Sequence, residues 1–180
     1  MKKISAKTST EELATIVSEH LKSKGIQAVL VGGAVVTIYS ENEYRSRDLD
    51  FISPNEHKEI ANAMIELGFT AKGKNFAHSE TEFTVEFPSG PLAIGDEIPV
   101  KPEGEIKNKY GKVSLFSPTQ CVMDRLAWFY HNNDRQCLDQ AVTVSKHHKV
   151  NIEKIRRWSK GEGAEEKFEI FLTKLKNYKP

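Results

Sequence analysis

The sequence predicts an α/β (α+β) protein, with a mixed sheet first and helices only in the C-terminal part. Short apolar runs that end at glycine or proline alternate with helical periodicity up to about residue 116, and every periodic segment after it has helical spacing. Of the 180 residues, 38% are hydrophobic and 28% charged, which is typical of globular chains. We therefore expect a sheet domain over residues 1–116 and a helical domain over residues 117–180 packed against it.

The elements of the sheet part follow from caps, glycines and spacing. Ser9 or Thr10 can cap a first helix that Gly25 ends, and the apolar run at 28–31 is typical of a buried strand. The segment 88–102, after the strand predicted at 83–87, is rich in proline and is predicted as a loop. The other predicted elements are a helix at 34–39, a strand at 48–52, a helix at 56–67, weak strands at 69–72 and 76–78, a strand at 83–87 and a hairpin at 106–115.

The helical part begins at Ser117-Pro118, where a serine cap is followed by proline at the first helical position. Apolar residues then recur at helical spacing to the end of the chain. Trp128 and Trp158 are expected as core or interhelical anchors rather than as platforms for a nucleobase. The basic run 154–157 is expected to be a solvated helix face, and His147-His148 is not expected to chelate a metal because neighbouring helical residues point apart.

Composition and charge exclude several classes of protein. The formal net charge is +1, so no overall field attracts nucleic acid. Both cysteines, Cys121 and Cys137, fall in predicted helices, which favours buried thiols and a reducing, cytoplasmic compartment. No apolar segment follows Met1-Lys2-Lys3, so a signal peptide is not expected. The longest apolar stretch, 28–36, is too short to span a membrane.

The chemistry-bearing residues follow the first strand. Gly32-Gly33 lets the backbone approach a ligand closely, and the helix that starts there presents free N–H groups to a phosphate. On the next strand, alternation puts Asp48 and Asp50 on one face and Leu49 and Phe51 in the core. Paired carboxylates of this kind suit magnesium. A plain turn and the solvated face of an edge strand are the simpler alternatives.

Further charged residues could complete such a site. Glu86 on the strand at 83–87 could supply a third carboxylate if that strand lies beside the Asp48 strand, although an exposed polar face explains it equally simply. Arg45 and Arg47 could contact phosphate, or could only solvate a loop or offset the aspartates. Arg125 could contact phosphate or form a surface salt bridge.

These motifs resemble the nucleotidyltransferase superfamily, that of DNA polymerase beta and the minimal and toxin-type nucleotidyltransferases. Its pattern is a hydrophobic residue followed by Gly-Gly or Gly-Ser, then a spacer, then Asp-hydrophobic-Asp, with a third carboxylate on a later strand. Val31-Gly32-Gly33, Asp48-Leu49-Asp50 and Glu86 match this pattern, and Ser117-Pro118, Arg125-Leu126 and 134–139 are similar to the helical half of these proteins.

The resemblance implies an enzyme that transfers a nucleotidyl group from a nucleoside triphosphate to an acceptor. It implies two Mg²⁺ ions held by Asp48, Asp50 and Glu86, and phosphate contacts from Gly32, Gly33, Arg45, Arg47 and Arg125. The acceptor could be a tRNA, a protein or a small molecule, and no membrane is involved. The alternative is a catalytically inactive module of the same fold, serving as a binding or toxin–antitoxin-type protein.

Overall fold

The computed structural model describes residues 4–178. Met1-Lys2-Lys3, at the segment where no signal peptide is expected, lies outside the described residues. Within them the elements follow one another in the predicted order, with ends that differ by a few residues. They are α1 (Thr10–Ser23), β1 (Val29–Val31), α2 (Gly32–Tyr39), β2 (Asp48–Ile52), α3 (His57–Glu66), β3 (Thr70–Lys72), β4 (Asn75–Ala77), β5 (Thr84–Glu86), β6 (Gly104–Asn108), β7 (Gly111–Leu115), α4 (Pro118–Asn132), α5 (Arg135–His147), α6 (Ile152–Gly161) and α7 (Glu165–Asn177).

The sheet is mixed, as predicted. Its strands lie in the order β3-β4-β5-β2-β1-β7-β6. β1 runs antiparallel to β2, so that Val31 at the end of β1 is paired with Asp50. β2 runs parallel to β5, and this pairing sets Asp48 beside Thr84 and Asp50 beside Glu86. The strand order therefore brings the glycine turn, the aspartate strand and the strand of Glu86 to neighbouring positions.

Helix caps explain where the main helices begin. Ser9 and Glu12 form a capping box at α1, in which each side chain accepts from the backbone of the other. Ser117 and Gln120 form the same motif at α4, with Pro118 at the first helical position. α2 begins at Gly32, two residues earlier than predicted, because the glycines themselves form its first turn.

The core contains side chains from the sheet and from the C-terminal helices. Leu49, Phe51 and Val85 are fully buried on the sheet, and Phe129 and Phe171 are fully buried on α4 and α7. The hydroxyl of Tyr39 on α2 donates to the carbonyl of Phe116, 2.8 Å away, just before α4 begins. α2 thereby connects the sheet to the helices that follow residue 116. Cys121 and Cys137 are buried free thiols.

Among residues 4–178, no helix has the length and apolar character that crossing a bilayer requires.

Candidate active site

The glycine turn between β1 and α2 is shaped by close contacts that only glycine permits. Gly32 has a φ of +72°, and a Cβ placed on it would lie 2.7 Å from Oδ2 of Asp50. A Cβ on Gly33 would lie 3.0 Å from Oγ of Ser46. No side chain caps the first turn of α2, and no acidic residue lies in it. The N–H groups at this helix end are therefore available to an anion.

β2 presents its two aspartates on one face, as predicted. Leu49 and Phe51 point into the core and have no exposed surface, whereas Asp48 is exposed and Asp50 is half-buried. The hydroxyl of Thr84 donates to Oδ1 of Asp48. The hydroxyl of Ser46 accepts from the backbone N–H of Asp48 at 3.2 Å and donates to its carbonyl at 3.0 Å. The entry to the aspartate strand is thereby fixed.

Glu86 lies in register with Asp50 on the adjacent parallel strand. Because residues paired across two strands project to the same side of a sheet, the Glu86 side chain shares the face of Asp48 and Asp50. Val85 beside it is fully buried on the other face. The strand of Glu86 therefore lies beside the strand of Asp48, as a role for Glu86 as third carboxylate requires.

The neighbouring carboxylates and burial together alter the pKa of Asp50. Burial, followed by the charges of Glu86 and Asp48, raises the pKa of Asp50 from 3.8 to about 6, while Arg125 acts in the opposite direction. No three His, Cys, Asp or Glu side chains in residues 4–178 are gathered closely enough to hold a metal without rearrangement. A metal role for the three carboxylates therefore stays a prediction.

Arg125 is not the surface residue that one interpretation of the sequence expected. Its side chain is 11% exposed, and Nη2 lies 2.6 Å from Oδ2 of Asp124, which also accepts from Nε at 3.1 Å. Burial acts against its charge, but the Asp124 carboxylate outweighs this effect and raises the pKa of Arg125. A guanidinium that donates two hydrogen bonds to one carboxylate oxygen is held in place on α4.

A cleft of about 250 Å³ lies between Asp50 and Arg125, and neither Asp48 nor Glu86 is among the described residues that line it. β1, α2 and β2 contribute Val31, Gly32, Asp50 and Ile52, and α4 contributes Asp124, Arg125 and Trp128. The loop after β5 supplies a further, largely apolar wall that includes Pro91 and Leu92. The expectation for Trp128 was wrong: the indole is 50% exposed and lines the cleft, because it lies on the same face of α4 as Asp124 and Arg125.

A larger cavity of about 530 Å³ lies at the other end of β1, lined by Gln27, Glu105 and Lys112 among others. Two of its charged groups, Glu105 and Lys112, form an ion pair at 2.7 Å. Asp50, which lines the smaller cleft, and Glu86, in register with it, form no ion pair with any described residue. We place the candidate site at the smaller cleft, because Asp50 has a raised pKa there without an ion-pair partner, whereas Glu105 and Lys112 offset each other.

The two arginines that precede β2 do not line the cleft. Both Arg45 and Arg47 are exposed. Arg47 lies 3.4 Å from Glu82, and its carbonyl accepts from the N–H of Thr84, which joins the ends of β2 and β5. Their contact with phosphate stays a prediction.

Sequence reasoning gave no positioning role to Ser46, Thr84 or Asp124, and it expected Trp128 in the core or between helices. Ser46 and Thr84 hold Asp48, Asp124 holds Arg125, and Trp128 lines the cleft. The spacing of Asp124, Arg125 and Trp128 on one helix face was the signal that could have revealed the wall of α4.

The resemblance to nucleotidyltransferases rests on three features: a glycine turn that runs directly into a helix, an Asp-Leu-Asp strand, and a carboxylate in register on the next strand. The family model described as "Nucleotidyl transferase of unknown function (DUF2204)" matches residues 9–85. This match includes Gly32, Gly33, Asp48 and Asp50, and it ends just before Glu86. The resemblance to the nucleotidyltransferase superfamily is thus confirmed.

Solved structures show the same fold. An antigenic nucleotidyltransferase-like protein from Paracoccidioides brasiliensis is 16% identical, with a TM-score of 0.56 over 78% of this chain and 77% of that one. The antibiotic-resistance factor ANT(2'')-Ia, solved in solution, is 14% identical, with a TM-score of 0.50 over 93% of this chain and 97% of that one. No curated protein matches the sequence. These structures show the likeness of the fold, and the family model supports nucleotidyl transfer as the class of function.

Proposed function

We propose that this protein transfers a nucleotidyl group from a nucleoside triphosphate to an acceptor hydroxyl at the cleft beside Asp50. The observation that carries the proposal is the register of three strands. It aligns Val31, Asp50 and Glu86 across the sheet, directly where the glycine turn opens α2. The same turn offers N–H groups for the triphosphate, so that the phosphate-binding and the acidic parts of the site adjoin.

The residues present fit a divalent metal. The donor groups are carboxylate oxygens, which Mg²⁺ prefers. Burial, followed by the charges of Glu86 and Asp48, raises the pKa of Asp50, and a divalent cation would offset this concentration of negative charge. Asp48, Asp50 and Glu86 would hold two Mg²⁺ ions together with the triphosphate. When bound, the metal stabilises negative charge on the attacking and leaving oxygens.

The protein's own groups would act on the substrates as follows. The acceptor oxygen attacks the α-phosphorus, the bond from this phosphorus to the bridging oxygen breaks, and pyrophosphate leaves. Glu86 orients the acceptor hydroxyl and takes its proton. The Gly32-Gly33 amides hold the phosphates, and Arg125, kept in place by Asp124, offsets negative charge at the α4 side. Arg45 and Arg47 would approach the phosphates only after a change in their loop.

The acceptor panel covers three classes of hydroxyl compound. A tRNA, a protein and a small molecule each supply a hydroxyl group, and the similarity in fold to an antibiotic-resistance factor makes small hydroxylated compounds a rational first panel. We also propose, from the sequence alone, a cytoplasmic location and a toxin–antitoxin context.

The proposal is tested by pyrophosphate release. The protein is incubated with Mg²⁺ and each nucleoside triphosphate, against panels of tRNA, protein and small hydroxylated acceptors. Glu86→Gln keeps the size of the side chain and removes its charge, and Glu80→Gln, at an exposed carboxylate before β5, is the matched control. We expect Glu86→Gln to lose about a hundredfold or more in rate, within the usual range for a general base.

Binding separates the two interpretations of the site. Calorimetric binding of the triphosphate with Mg²⁺, but no release of pyrophosphate with any acceptor, would support the inactive binding module instead. Absence of both binding and turnover would refute the proposal for this cleft.

A further inference from the structure

The cleft has one wall that belongs to neither the sheet nor α4. The segment 88–93, which leaves β5, contributes Pro88, Pro91, Leu92 and Ala93 to its lining. α4 contributes Arg125 and Trp128. The distance between this segment and α4 therefore decides the width of the cleft on the Trp128 side, and a loop needs an anchor to hold such a distance.

The anchor is Glu162, which directly follows α6. Its side chain is only 3% exposed. Oε1 accepts from the backbone N–H of Asp96 at 2.9 Å, and Oε2 accepts from Nε2 of His131 on α4 at 2.6 Å. A buried carboxylate with a backbone donor on one oxygen and an imidazole donor on the other is well satisfied. One side chain thus ties the loop to the helix that carries Trp128.

Backbone hydrogen bonds within the loop connect the turn around Asp96 to Leu92 in the cleft wall. Ile94, 1% exposed, exchanges two backbone hydrogen bonds of 3.1 Å with Glu97, which encloses Asp96 in a tight turn. Gly95 in that turn has a φ of +57°, and a Cβ on it would lie 2.3 Å from Oε2 of Glu162. The N–H of Val100 donates to the carbonyl of Leu92 at 2.8 Å. Displacing Asp96 would therefore displace Leu92.

From these contacts we infer that Glu162, held by His131, is a positioning residue that fixes the wall 88–93 against α4 and thereby sets the affinity for the group bound beside Trp128. This inference rests on the proposed function of the cleft. Glu162 touches no cleft atom itself and acts only through Asp96 and the turn around it. It lies outside the residues 9–85 that the family model matches.

The first test does not depend on activity. The sequence has two tryptophans, so Trp158→Phe leaves Trp128 as the sole fluorophore. Quenching of Trp128 by acrylamide is measured in this background with and without Glu162→Ala. We expect quenching to increase, because releasing the loop uncovers the indole. Glu153→Ala removes an exposed carboxylate from the same helix and should leave quenching unchanged.

The second test measures the Kd of ATP with Mg²⁺ by calorimetry. Glu162→Ala should weaken binding about tenfold, which corresponds to about 1.4 kcal/mol. Glu162→Gln retains an oxygen for the N–H of Asp96 and should restore part of the affinity. Gly95→Ala disturbs the same contact from the loop side and should weaken binding even if Glu162→Ala does not fold.

The outcomes are separable. Unchanged quenching in folded Glu162→Ala and Gly95→Ala proteins would show that Glu162 does not hold the wall 88–93. Increased quenching with an unchanged Kd would show that the wall does not set the affinity. If the parent protein binds no ATP with Mg²⁺, the proposed function fails for this nucleotide, while the quenching result still decides whether Glu162 holds the wall.

Discussion

Asp50→Asn should stabilise the metal-free protein while removing ligand binding. The substitution keeps the shape of a half-buried side chain and removes the charge that burial, Glu86 and Asp48 disfavour. The rise in the pKa of Asp50 from 3.8 to about 6 corresponds to a cost of about 3 kcal/mol when the group is ionised. Solvent screening of this partly exposed group reduces the expected gain to about 1–2 kcal/mol.

The sign of the pH dependence follows from the raised pKa. Below about pH 4 the carboxyl group is protonated in both the folded and the unfolded state, and the cost is absent. Above about pH 6 the group is ionised in both states, and the cost is fully present. The advantage of Asp50→Asn over the parent protein should therefore develop as the pH rises through this range.

The assay is thermal unfolding of the parent protein, Asp50→Asn and Asp139→Asn at pH 4 and 7.5. Asp139 is an exposed aspartate paired with Lys174 and serves as the matched control. For a chain of this length, about 1–2 kcal/mol corresponds to a rise in Tm of about 2–8 °C, expected for Asp50→Asn at pH 7.5 only. ATP with Mg²⁺ at a hundred times its Kd should stabilise the parent protein by about 2.7 kcal/mol and Asp50→Asn hardly at all. Equal ligand-induced shifts would refute the reasoning, because the nucleotide would then bind elsewhere.

Three further substitutions test the packing of the site by urea unfolding. Gly32→Ala should lower the free energy of unfolding by about 1–3 kcal/mol, because Gly32 has a positive φ and the Asp50 carboxylate lies close to it. Gly161→Ala is the control and should be neutral or stabilising, because an added Cβ there meets no atom within 4 Å. Equal effects of the two substitutions would contradict the close approach of Asp50 to Gly32. Thr84→Val should cost about 1 kcal/mol through the lost hydrogen bond to Asp48, and no loss would show that this bond contributes nothing. Phe129→Ala should cost about 3–5 kcal/mol because the ring is fully buried, and a cost below about 1 kcal/mol would show that α4 is not part of the core.

The central strands could be predicted because their signals are local. Asp48–Ile52 alternates strictly and ends before a proline, so its bounds and the side each residue faces followed from period two alone. Glu86 could be proposed for the same face but not placed, because its partner strand lies 36 residues away in sequence. Pairing over such a separation is decided by the packing of the whole sheet rather than by residues near Glu86.

The burial of Asp124 with Arg125 and the course of the loop could not be predicted for the same reason. The sequence around Arg125 is compatible with a surface helix, and only tertiary packing shows that Asp124 and Arg125 are buried together. Trp128 would ordinarily be assigned to a core, yet it faces the cleft. The proline-rich segment 88–102 has no periodicity, so nothing in it indicates that Asp96 meets Glu162.

The hairpin of β3 and β4 offers a place to extend this protein without touching its cleft. The chain leaves the acidic face at Ile52, passes through α3 and this hairpin, and returns in β5 to the strand it left. Every residue of β3 is exposed, and Gly73 at the hairpin turn has no neighbouring atom within 4 Å of an added Cβ. Such tips tolerate inserted sequence. A reporter or an affinity handle could therefore be inserted after Gly73, at the edge of the sheet. The pairing of β2 with β5, on which the acidic face depends, would be left intact.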